Sequence, residues 1–69
     1  MDVRAEITGS VWQVSLAVGD PVAAGDTIMI LESMKMEIPV EAPVSGTITH
    51  LAVRVGDNVR TGDALAEIE

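Results

Sequence analysis

The chain of 69 residues contains no cysteine, phenylalanine or tyrosine, and Trp12 is its only aromatic residue. No disulfide can staple it, so a chain this small must close its own sheet edges and pack efficiently. With 48% hydrophobic residues and almost no aromatics, the core has to come from Val, Ile, Leu and Ala, a choice that favours strands. Basic residues are equally scarce. Arg4, Lys35, Arg54 and Arg60 face eleven carboxylates, giving a net charge of −7. Such a field repels phosphate backbones and anionic lipid surfaces, which excludes nucleic-acid binding and polybasic membrane docking. Apolar runs of membrane-spanning length are missing, and Met1–Ala5 lacks the charged and apolar regions of a signal peptide. The expectation is one cytoplasmic domain over residues 1–69, monomeric. Catalytic sets are missing too: His50 is the only histidine, and no Ser/His/Asp or Cys/His arrangement is available. His50 reads as an ordinary strand residue of a protein that is not itself an enzyme.

What the sequence does contain is a repeat. Residues 3–32 align without gaps onto residues 40–69 at an offset of 37, with ten of thirty positions identical. All six glycines fall into the three matched pairs Gly9/Gly46, Gly19/Gly56 and Gly25/Gly62. Because glycine stands where the backbone needs positive φ or close approach, matched glycines mean matched turns. Two copies are too few to stack as a solenoid, so the halves are expected to pair face to face. The architecture this predicts is all-β: a flattened, pseudo-two-fold barrel or sandwich of two four-stranded antiparallel sheets. No helix is expected, since the one candidate, residues 17–24, is cut by Gly19 and Pro21.

Within each copy, Val14, Leu16 and Val18 alternate, as do Leu51, Val53 and Val55, and these six are expected to point inward. Val11 and Ile48 stand three positions before Val14 and Leu51, a break in the period of two that predicts a bulge or a change of sheet. Ile28/Leu65 and Leu31/Ile68 pose the same problem, and Ile30, whose equivalent is Glu67, ranks below Leu31 as a core residue. Trp12 is in phase with Val14 and is expected to be partly buried rather than a stacking platform. Asp20, Asp26, Asp57 and Asp63 each follow a glycine, without the spacing of a calcium loop. They are expected to bond to the backbone of their own turns.

Residues 33–39, Ser-Met-Lys-Met-Glu-Ile-Pro, have no partner in either copy and join the two halves. Strand signals reach Glu32 and resume from Glu37, so Met34 and Lys35 should form a hairpin tip. Tight hairpins favour Asn-Gly or Asp-Gly, yet here two flexible apolar side chains flank the only lysine of the chain. Local rules broken at one place in an otherwise consistent sequence point to function. The same offset carries residue 35 to position 72 or −2, so the termini should meet at the two-fold equivalent of the tip, at the opposite end of the molecule.

Glu32-Ser33-Met34-Lys35-Met36-Glu37 resembles the attachment motif of the biotinyl/lipoyl domain family, and within it the stand-alone biotin carboxyl carrier proteins. The resemblance covers nearly the whole chain: Gly9, both Val-Gly-Asp turns, the later Gly-Asp steps, Ala42-Pro43 and Gly46 fall where that family turns. It implies the flattened barrel already expected, with covalent biotin on Lys35. It also implies Met34, Met36, Glu32 and Glu37 as recognition residues for a biotin protein ligase, and biotin carboxylase and carboxyltransferase components as the partners between which a carboxyl group is carried. No loop is inserted between Val18 and Gly25, so the chain departs from carriers with a protruding thumb. Two other readings stand beside this one. A lipoyl carrier commonly has Asp before the lysine and Ala after it, against which Met34 and Met36 speak; the other is an unmodified acidic interaction module.

Overall fold

Four turns of one design set the frame of residues 1–69, all of which the computed structural model describes. In Ala17–Asp20, Ala23–Asp26, Arg54–Asp57 and Arg60–Asp63 the third residue is glycine at φ between 93° and 96°. The amide of each aspartate donates to the carbonyl three residues back at 2.9–3.0 Å. One carboxylate oxygen of the same aspartate accepts from the amide of that first residue at 2.9 Å in all four. This is a type II turn closed twice, with glycine where φ must be positive and aspartate as the local acceptor. The four aspartates therefore hold turns, as the sequence predicts.

Between the turns run eight strands: β1 (Asp2–Arg4), β2 (Gly9–Val14), β3 (Pro21–Val22), β4 (Thr27–Ser33), β5 (Met36–Glu41), β6 (Gly46–Leu51), β7 (Asn58–Val59) and β8 (Ala64–Ile68). There is no helix, hence none long and apolar enough to cross a membrane. One sheet has the order β1-β8-β6-β3 and the other β5-β4-β2-β7, and every pairing is antiparallel. Each sheet takes two strands from each half of the repeat. The halves thus interleave rather than stack, which corrects the face-to-face expectation: in an isolated first half β2 and β4 would still pair, but β1 and β3 would be left without ladder partners. The offset of 37 survives in the register, since Met29↔Val40 and Ile30↔Pro39 of β4–β5 reappear as Val3↔Ala66 and Asp2↔Glu67 of β1–β8.

Bulges explain the broken periods. Register shifts between Val11 and Gln13, and between Ile48 and His50, make Trp12 and Thr49 the extra residues of β2 and β6. Matching shifts leave Ile28 and Leu65 extra in β4 and β8, which lets Ile28 and Met29, and likewise Leu65 and Ala66, be buried consecutively. The core of thirteen buried residues contains Val11, Ile28, Leu31, Ile48, Leu65 and Ile68 and no polar side chain. Ile30 is only half-buried, as ranked. Val14, Leu16, Leu51 and Val53 pack partly buried against this core. Val18 and Val55 do not: at 59% and 63% exposure they occupy the second position of two type II turns, beyond the ends of β2 and β6. Trp12 is also a correction. As the bulged residue beside buried Val11 it turns outward and is 45% exposed.

Candidate functional site

The hairpin joining β4 to β5 is the one place where residues other than glycine have positive φ: Met34 at 53° and Lys35 at 65°. With Ser33 and Met36 as the last register pair, these two form the two-residue loop of a type I′ turn. The left-handed conformation costs a residue with a β-carbon about 1–2 kcal/mol, so the tip holds strain that Asn-Gly would avoid. Strain of this kind persists only where the surroundings over-determine it. Here the surroundings are two well-paired strands, with Glu32 directly opposite Glu37 and Leu31 opposite Ile38, above a fully buried Leu31.

Three contacts that sequence reading missed hold the base of the hairpin. Gly9 lets β2 approach so closely that a β-carbon there would stand 2.4 Å from the Glu32 carbonyl oxygen. Beside it, Ser33 Oγ donates to the Thr8 carbonyl at 2.9 Å, while the Thr61 amide donates to Thr8 Oγ1 at 3.3 Å. The Thr61–Thr8 contact has a two-fold counterpart in Ala24 N to Ser45 Oγ at 3.1 Å. The hydroxyl pair Thr8/Ser45 in the repeat was the signal for it.

All five residues expected at the site lie on this hairpin. Lys35 is exposed and takes part in no side-chain hydrogen bond or ion pair; the one ion pair of the molecule joins Arg4 to Asp2. Met34 is 91% and Met36 60% exposed, an arrangement that leaves both thioether side chains in water on either side of the amine. Glu32 and Glu37, both exposed, form a like-charged cross-strand pair, which costs stability and concentrates negative charge below the tip. The hairpin presents a primary amine on a long stem, unencumbered by neighbours and fixed at its base. That geometry fits acylation by a group brought from outside. His50 pairs with Glu67 in the sheet that does not carry Lys35.

Comparison with known proteins agrees with this geometry. The sequence profile of the family described as "Biotin-requiring enzyme" matches residues 2–68. A biotinylated protein TB7.3 homolog of Mycolicibacterium smegmatis is 61% identical over 41 residues, covering 59% of this chain and 58% of that protein. The biotin/lipoyl attachment protein of Bacillus subtilis is 45% identical over 42 residues, 61% of this chain and 58% of the other. The chain thus matches somewhat under three fifths of the length of these curated relatives. Among solved structures, the urea carboxylase of Kluyveromyces lactis superposes with a TM-score of 0.95 and 40% identity over 100% of this chain, which is 6% of that much longer one. A single-chain, multi-domain long-chain acyl-CoA carboxylase superposes at 0.89 with 33% identity over 96% of this chain and 6% of its own. The eight interleaved strands, the strained lysine hairpin and a family profile matching from residue 2 to residue 68 agree: the chain belongs to the biotin/lipoyl attachment domain family.

Proposed function

We propose that this biotin carrier domain is loaded through Lys35 and carries a carboxyl group between the carboxylase and carboxyltransferase sites of a biotin-dependent system. The observation that supports it is that the only lysine of the chain stands exposed at the second position of a type I′ loop, with two exposed methionines around it. Loading forms an amide between Lys35 Nζ and the carboxyl carbon of biotin, which a biotin protein ligase supplies as an activated acyl group. The amine gives up a proton, and the activating group leaves. When attached, biotin supplies a ureido ring that accepts and releases a carboxyl group. The chain's own residues present and orient: β4 and β5 hold the hairpin upright, Gly9 and Ser33 seat its base, and Met34 and Met36 flank the amine for ligase recognition. Tethering makes each delivery an effectively intramolecular encounter.

The test is Lys35→Arg. Arginine keeps the charge and offers no nucleophilic amine at neutral pH, so the variant should fold as the parent while incorporating no biotin by intact mass and streptavidin blot. Biotin retained by the variant would refute the assignment. Substituting Met34→Asp together with Met36→Ala is expected to lower biotin incorporation and to raise lipoylation by a lipoyl ligase. Unchanged rates with both ligases would remove the methionines from the recognition set.

A further inference from the structure

The pseudo-two-fold provides an internal control for every surface residue, because a position and its equivalent 37 residues away face the same structural demands. On the outer face of the sheet that carries Lys35, Trp12 is the bulged residue beside Gln13, Gln13 pairs with Ile30, and Ile30 pairs with Pro39. This row presents an indole, an isoleucine and a proline, with the exposed carboxamide of Gln13 between the first two. The equivalent row of the other sheet presents Thr49, His50, Glu67 and Asp2. The fold therefore does not require apolar side chains there. Carboxylates flank the apolar row on both sides: Glu32 and Glu37 toward the tip, and Glu41, paired with Thr27, away from it.

Resting on the assignment of Lys35 as the loading site, we infer that this row is the docking surface for the enzyme that loads Lys35, a protein offering an apolar pocket rimmed by lysine or arginine. Three features select that occupant. The row lies on the lysine-bearing sheet, about 10 Å below the base of the tip at some 3.3 Å per residue, within reach of a protein that holds Lys35 in its active site. Its rim is acidic, which complements a basic partner and favours rapid encounter. Its area is that of one indole and two small apolar side chains, far below the roughly 1,000 Å² of a lasting interface, and so suits a partner that binds and leaves. The loading enzyme also meets the chain before any cofactor is present for it to grip, so its affinity must come from the protein surface. An enzyme acting on the loaded chain can hold the attached group itself.

The experiment uses the full chain with 5-fluorotryptophan at its single Trp12, whose one ¹⁹F resonance is followed while biotin protein ligase is added, alongside steady-state loading kinetics. The resonance should shift or broaden with the ligase. Trp12→Thr places at the bulge the residue that its equivalent already carries, and should raise KM for loading about tenfold with kcat unchanged, as loss of an aromatic contact hot spot does. Thr49→Trp on the opposite sheet should leave both constants unchanged. An unmoved resonance, a KM unaffected by Trp12→Thr, or a response to a carboxylase component but not to the ligase would overturn the inference. Failure of the wild-type chain to take up biotin would instead overturn the Lys35 assignment, and this inference with it.

Discussion

Met34 and Lys35 occupy backbone conformations that residues with a β-carbon avoid, and the tip keeps them nevertheless. Asparagine tolerates the left-handed region far better than methionine, so Met34→Asn should relieve part of the strain. The expected gain is about 1 kcal/mol, read as a rise of about 4–8 °C in Tm for a domain of this size. Biotin loading should fall at the same time, because Met34, 91% exposed beside the amine, is the flank offered to the loading enzyme in the proposed function. A variant less stable than the parent would show that the turn is not strained at Met34. This residue was legible in the sequence because it breaks a local rule. Trp12 was not, since the broken period from Val11 to Val14 marks a bulge but not which of the residues between them is the extra one. Val18 and Val55 misled for a related reason: the alternation that put them in the core continues past the ends of β2 and β6 into turns, where position i+1 tolerates any residue with negative φ.

At the scale of elements, the glycines fall into two kinds that the repeat alone could not separate. Gly19, Gly25, Gly56 and Gly62 have positive φ and open space around them, whereas Gly9 and Gly46 have no such φ and sit against carbonyl oxygens of the neighbouring strand. Alanine at the first kind meets only backbone strain, so Gly25→Ala should cost about 1–2 kcal/mol. Gly9→Ala must push β2 from β4, since its β-carbon would lie 2.4 Å from the Glu32 carbonyl oxygen. A cost of about 2–3 kcal/mol follows, as for overpacking at a site without slack. Gly46→Ala meets the Glu69 carbonyl oxygen at 2.5 Å and the buried Ile68 Cγ2 at 2.7 Å, and Glu69 is held by two backbone hydrogen bonds to Thr47, so the loss should be of the same order. Urea denaturation of the three variants would rank them; a cost for Gly9→Ala or Gly46→Ala no larger than that of Gly25→Ala would show that the neighbouring strand yields at the close approach. The pairing of strands across the two halves was beyond sequence reading, because a repeat says that two segments fold alike and not which ladder each one joins.

For the whole molecule, the register makes the two ends of the repeat interchangeable. Met1 and Ile68 already exchange backbone hydrogen bonds, as the two-fold equivalents of Ile38 and Leu31, a register pair of the hairpin. Five residues would close the gap between Glu69 and Met1 in the manner of residues 33–37. A permuted chain running from residue 38 to 69, then Ser-Met-Lys-Met-Glu, then 1 to 32, keeps the composition unchanged and moves the lysine tip to the other sheet. If the pseudo-two-fold is energetic as well as geometric, this chain should fold with a Tm within a few degrees of the parent, since insertion and permutation succeed where exposed ends already meet. Its lysine would stand on the same kind of strained loop but above Asp2, Glu67 and Thr49 instead of the row containing Trp12. Loading should therefore proceed with KM raised as in Trp12→Thr, and adding Thr49→Trp and Glu67→Ile should bring KM back toward that of the parent. Recovery would separate the tip from the surface beneath it as two determinants of one encounter. A permuted chain that folds and loads as well as the parent would mean that the motif at the tip is sufficient and the apolar row is not a docking surface.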